Sequence, residues 1–127
     1  MDIKTVGVVG CGLMGAGIVE VCARAGYEVV VLEVNQALLD RGLSRLRGSL
    51  EKAVARGKAS QEEADATLAL IHGTLDLADF RACDLTVEAA VENMETKKQL
   101  FAALDAILPP HAILASNTSS LCVTEMA

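Results

Sequence analysis

Gly10, Gly12 and Gly15 stand in the order GxGxxG inside "VGVVGCGLMGAGI", Val6 to Ile18, and Glu33 closes the run "EVVVLE" eighteen residues past the third glycine. Glycines at this spacing bring bare main chain against an anion. The first permits a tight turn, the second leaves room for a pyrophosphate, and the third lets a helix lie close on a sheet. The N–H groups at the start of that helix, those of Leu13 and Met14 among them, supply donors and a partial positive charge. Glu33 is placed to accept from both hydroxyls of an adenosine ribose.

Three glycines at set positions recur by chance about 0.06 times in a chain of this glycine content, so the weight rests on their joint fit with the acidic residue and the flanking elements. The other reading is a glycine turn that serves packing alone, with Glu33 an ordinary strand-end carboxylate. A 2′-phosphate on the ribose would meet Glu33 as a like charge, and no Lys or Arg follows it until Arg41. The pattern therefore favours NAD over NADP.

Such a site needs a strand before the glycines and a helix after them. Thr5 to Val9 is a short apolar, β-branched run, and Leu13 to Ala25 carries apolar residues at helical spacing, with Gly26 as a left-handed cap. Glu28 to Glu33 is a second buried strand. Asn35 caps a long helix through "QALLDRGLSRLRGSLEKAVARG", and Ser60 with Glu63 forms a capping box that opens another helix through Leu70. "LIHGT" reads as a third strand leading into "DLADFRACD", and Leu85 to Ala89 as a fourth. Asn93 caps a helix from Met94 to Leu108 that stops at Pro109 and Pro110, "AILAS" is a fifth strand, and Thr124 to Ala127 begins a further helix. Strands alternating with helices predict an α/β fold of Rossmann type: a doubly wound, mostly parallel sheet with helices on both faces.

The 127 residues form one domain by length, enough to bury about two-thirds of the unfolded chain's surface. A hydrophobic fraction of 52% with only 2% aromatic suits a sheet core of Val, Leu, Ile and Ala, and argues against base stacking. Eleven basic against seventeen acidic residues leave a net charge of -6, which repels phosphate backbones, so no nucleic-acid partner is expected and any anion must be held locally. Cys11, Cys22, Cys83 and Cys122 show no metal-like spacing, and His72 and His111 stand alone, so a reduced, metal-free domain is expected. Cys11, between two glycines, is read as small filler, with redox sensing as the alternative. Cys22, Cys83 and Cys122 are read as core or near-core. No apolar stretch approaches the roughly 18 residues of a membrane span, and the first strand leaves no room for a signal peptide; a cytoplasmic location without membrane partners is the expectation.

"VGVVGCGLMGAGI" together with "VEAAVENMETKKQLFAALDAILPPHAILASNTSSL" resembles the amino-terminal NAD-binding domain of the 3-hydroxyacyl-CoA dehydrogenases, including bacterial 3-hydroxybutyryl-CoA dehydrogenases. The likeness covers nearly the whole chain, and its "VEN…KK" and "SNTSS" blocks are more specific than the glycines. The β-hydroxyacid dehydrogenases, with their GLGxMG loop, look less similar, because here an acidic residue closes strand two and "SNTSS" closes strand five. The resemblance implies that Glu33 holds the adenine ribose, that Glu92 and Lys97 lie along the nicotinamide half, that Asn117 contacts the nicotinamide ribose side, and that Ser119 faces the substrate hydroxyl. Read from the residues alone, the preferred reading is Glu92 as a helix-cap carboxylate, Lys97 as a solvated lysine, and Asn117 with Ser119 as an Asx-turn and N-cap.

The same resemblance implies oxidation of (S)-3-hydroxyacyl-CoA, of short acyl chain, to 3-oxoacyl-CoA with NAD. The hydroxyl proton goes to a base, in the family a His paired with a Glu, carried by an "HFFNP"-like segment after a sixth strand. That segment, the sixth strand, and the helical domain that completes the acyl-CoA site and the homodimer all belong beyond Ala127. Residues 1–127 are thus expected to be a cofactor-binding domain incomplete at its carboxyl end and without turnover by itself. The alternatives are a non-catalytic NAD(H)-binding sensor or interaction module, and a folding fragment that binds nothing.

Overall fold

In the computed structural model the described residues are 3–10, 12–89, 94–108 and 112–116, with the side chains of 13, 14, 94–97, 101 and 113–116 excepted. In chain order the elements are β1 (Thr5–Val9), α1 (Leu13–Arg24), β2 (Glu28–Leu32), α2 (Gln36–Ala55), α3 (Gln61–Ala69), β3 (Ile71–Thr74), a 3-10 helix (Leu77–Ala82), β4 (Leu85–Glu88), α4 (Met94–Ile107) and β5 (Ile113–Ser116). The five strands form one sheet in the order β3-β2-β1-β4-β5, and every neighbouring pair is parallel.

Alternation along the strands divides the core in two, because successive side chains point to opposite faces. Val6 and Val8 of β1 and Val29 and Val31 of β2 pack with Ala16, Val19 and Ala23 of α1 and Leu39 and Leu46 of α2. Val9 turns to the other face and packs with Phe80, Cys83 and Leu104. Gly7 also points there: a Cβ on it would lie 2.7 Å from two ring carbons of Phe80 and 3.0 Å from Cys83 Sγ. The Phe80 ring, fully buried, fills the room a side chain at position 7 would need.

Helix ends follow their local chemistry. Asn35 Oδ1 accepts from the Leu38 N–H at 2.9 Å, and Ser60 and Glu63 make the reciprocal capping box that opens α3. Helix α1 ends where Gly26 takes φ +99°. Its N–H donates to Ala23 O and that of Tyr27 to Cys22 O, the paired bonds of a Schellman stop. The left-handed cap expected from sequence is therefore present, and helices lie on both faces of a parallel sheet as expected.

Two details differ from expectation. "DLADFRACD", for which the pattern suggested no element, contains the 3-10 helix, opened by Asp76 Oδ1 accepting from the Ala78 N–H at 3.0 Å and anchored by Phe80. With Phe80 it moves the chain from the face of α1 and α2 to that of α4, so the winding reverses between β1 and β4. Second, β2 ends at Leu32, which makes Glu33 the first loop residue; its N–H donates to Thr74 O at 3.2 Å. The Asn93 cap and the helix expected at Thr124 to Ala127 lie outside the described residues. Among the described residues no helix is long and apolar enough to cross a membrane.

Candidate functional site

In an open α/β sheet, ligands bind beyond the carboxyl ends of the strands where the winding reverses. Here that point is the junction of β1 with β4, and the glycine loop sits on it. Gly10 follows β1 with φ +96°, and its N–H donates to Leu32 O at 2.8 Å, which ties the loop to the end of β2. Only a residue without a Cβ takes that conformation without strain.

Gly12 and Gly15 differ in what they are for. A Cβ on Gly15 would lie 1.9 Å from Gly10 O, so this glycine is required by the close approach of α1 to the end of β1. A Cβ on Gly12 would meet nothing within 4 Å, at an ordinary φ of -74°. The fold makes no demand for glycine at position 12; the space there is open to a ligand.

Gly12 is the N-cap of α1 and offers no side chain to it, whereas Asn35 and Ser60 cap α2 and α3. The first turn of α1, at Leu13, Met14 and Gly15, therefore keeps main-chain donors for an anion at the positive end of the helix. Glu33 stands beside this turn at the end of the neighbouring strand, half-buried, with Oε1 accepting from the Val34 N–H at 3.1 Å. That bond turns the carboxylate toward the loop's own main chain.

The structure thus brings together Gly10, Gly12, Leu13, Met14, Gly15 and Glu33 at one edge of the sheet. Lys97 lies in the first turn of α4, and its side chain is outside the described residues. Glu92, Asn117 and Ser119 lie outside them as well, as do Cys11, His111 and Cys122. Cys83 is buried and Cys22 partly so, as expected for packing residues. His72 lies away from the crevice: its Nε2 is 2.7 Å from Oε2 of Glu28, the first residue of β2.

Two residues at this edge escaped the sequence reading. Val34 is 83% exposed and Leu75 47%, the second residue after β2 and the first after β3. Val34 is separated from the apolar run of β2 by Glu33 and lies past the end of the strand at Leu32.

An ADP-containing cofactor fits these residues: an open cradle at Gly12, uncapped donors behind it, and a carboxylate one strand away. The family model described as "3-hydroxyacyl-CoA dehydrogenase, NAD binding domain" matches residues 5–127. The chain belongs to this family. Its cofactor is NAD.

Relatives agree. The chain is 48% identical over 126 residues to a 3-hydroxybutyryl-CoA dehydrogenase of Mycobacterium tuberculosis, covering 98% of the chain and 44% of that protein. It is 42% identical over 119 residues to the peroxisomal fatty acid beta-oxidation multifunctional protein MFP2 of Arabidopsis thaliana, 94% of the chain and 16% of that protein. The crystal structure of M. tuberculosis FadB2 superposes with a TM-score of 0.94 at 46% identity, over 99% of the chain and 45% of that structure. The 3-hydroxyacyl-CoA dehydrogenase domain described here therefore spans less than half the length of these relatives.

Proposed function

We propose that this domain is the cofactor-holding part of an enzyme that interconverts (S)-3-hydroxyacyl-CoA and 3-oxoacyl-CoA, with 3-hydroxybutyryl-CoA as the short-chain substrate. The observation that carries the reading is the 48% identity over 126 residues to a 3-hydroxybutyryl-CoA dehydrogenase. NAD, when bound, supplies the hydride acceptor. The chain's own residues hold and orient it. The open face at Gly12 and the first turn of α1 take the pyrophosphate, Glu33 takes the adenosine ribose, and Val34 and Leu75 offer apolar surface to the adenine.

Glu92 and Lys97 line the nicotinamide half in this reading, Asn117 contacts its ribose side, and Ser119 faces the substrate hydroxyl. The base that takes the hydroxyl proton is the family's His, paired with a Glu, outside these 127 residues. Of the two histidines present, His72 is engaged by Glu28 away from the crevice. Residues 1–127 alone therefore bind cofactor without turnover. The complete enzyme takes acyl-CoA, forms a homodimer through its helical domain and works in the cytoplasm, with neither nucleic acid nor membrane as partner.

Titration with NADH and NADPH, followed by nicotinamide fluorescence, tests the site. Saturable NADH binding with NADPH at least about tenfold weaker, about 1.4 kcal/mol, is expected. Restoring the carboxyl-terminal half from a close relative should then give NADH oxidation with acetoacetyl-CoA. Binding of neither nucleotide, or a restored protein inert toward acetoacetyl-CoA, overturns the corresponding part of the reading.

A further inference from the structure

Glu88 is fully buried, the last residue of β4, and the roles above leave it unused. It pairs in register with Val9 on one side and with Ser116 on the other. Val9 is the residue before Gly10, and Ser116 is the last residue of β5. One residue on, the Ala89 N–H donates to Val9 O at 3.0 Å, and the Ala89 methyl lies 3.6 Å from the position of a Cβ on Gly15. Glu88 thus holds the middle position where the ends of three strands meet under the crevice.

Alternation gives the direction of its side chain. Leu85 packs with the cluster of α1 and α2, and Val9, the partner of Glu88, belongs to the cluster of Phe80, Cys83 and Leu104. Glu88 therefore turns toward that second face. A carboxyl group withdrawn from water persists only where its oxygens are satisfied, and Glu88 does have an interaction partner. Val9, Phe80 and Leu104 offer no side-chain donor, and Cys83 offers only the weak donor of a thiol.

The cofactor path follows from the same geometry. A dinucleotide with its ribose at Glu33, beyond β2, and its pyrophosphate at Gly12, over β1, continues toward β4. We propose that Glu88 is a positioning residue for the nicotinamide half of NAD: it fixes the ends of β1, β4 and β5 relative to one another without touching the cofactor. A hydrophobic residue of the same size would suit the surrounding core better, and the presence of a carboxyl there is explained by what it orders above it.

The test compares the wild-type chain with Glu88→Gln and Glu88→Leu in binding NADH, by fluorescence, and ADP-ribose, which lacks the nicotinamide, by calorimetry. Thermal unfolding is read alongside. Expected is a loss of NADH affinity of about tenfold or more for Glu88→Leu and about threefold or more for Glu88→Gln, with ADP-ribose affinity within about twofold throughout. Parallel loss of both ligands, or loss of neither, overturns the proposal and leaves Glu88 a fold residue only. Should Glu88→Leu not fold, Glu88→Gln decides by the same comparison. A wild-type chain that binds neither ligand overturns the cofactor site itself, a result distinct from either Glu88 outcome.

Discussion

Gly15 lies so close beneath Gly10 that a methyl group on it would overlap the Gly10 carbonyl oxygen, 1.9 Å away. Gly12, between them, faces open space. One motif therefore contains a glycine the fold requires and a glycine facing open space, which the proposed function gives to the cofactor. Gly15→Ala should lower stability by about 2 kcal/mol or more and abolish NADH binding, since backbone must move to admit the methyl. Gly12→Ala should lower stability by no more than about 1 kcal/mol, the cost of a poorer N-cap, and weaken NADH about tenfold or more. Denaturant unfolding paired with fluorescence titration checks both, and equal effects on stability would contradict the assignment.

In the proposed function Glu33 selects by charge as well as by hydrogen bonding. Glu33→Gln keeps an oxygen for the ribose but removes the repulsion that a 2′-phosphate meets, so NADH discrimination over NADPH should fall from tenfold or more to about threefold or less. The ratio of the two dissociation constants is the measurement. A ratio unchanged in the variant would show that the charge of Glu33 plays no part in selectivity.

Thr86, paired in register with Gly7, is fully buried, and its Oγ1 has no hydrogen-bond partner among the described residues. A buried hydroxyl without a partner costs free energy that the isosteric methyl does not. Thr86→Val should raise stability by about 1 kcal/mol, whereas Thr86→Ser keeps the hydroxyl, loses a methyl and should lower it. The midpoints of urea unfolding rank the three proteins.

Burial pushes the Cys83 thiol up from 9.0 to about 12, with the neighbouring Asp84 carboxylate adding to the shift. The folded protein holds this proton more tightly than the unfolded chain. The contribution to stability is complete below pH 9 and is lost as pH rises toward 12, because ionisation of the unfolded thiol draws the equilibrium that way. At pH 8 a thiol reagent should leave Cys83 unlabelled until the protein is unfolded. Cys83→Ala should flatten the alkaline loss of stability, measured by unfolding across that range.

Much of this molecule is readable locally. Asn35, Ser60 with Glu63, and Gly26 announce helix ends because capping chemistry acts over three or four residues, and the valines at positions 6, 8, 29 and 31 mark buried strands by their spacing. The glycine motif and the acidic residue after it point to a nucleotide site by the same local logic. The 3-10 helix at Leu77–Ala82 was not legible, because what holds it is Phe80 filling the space above Gly7, seventy-three residues earlier in the chain.

Sequence alone determined the order of the strands and α-helices among the described residues and the parallel sheet, from alternating local patterns, and the positions of Gly10, Gly12, Gly15 and Glu33, from spacing within one βαβ unit. Only the tertiary structure separated the role of Gly12 from that of Gly15, turned Val34 out to water and buried Glu88 between Val9 and Ser116. Those facts depend on which strands lie side by side and how closely a helix crosses them. Such distances arise between segments far apart in the chain, and no local pattern of residues encodes them.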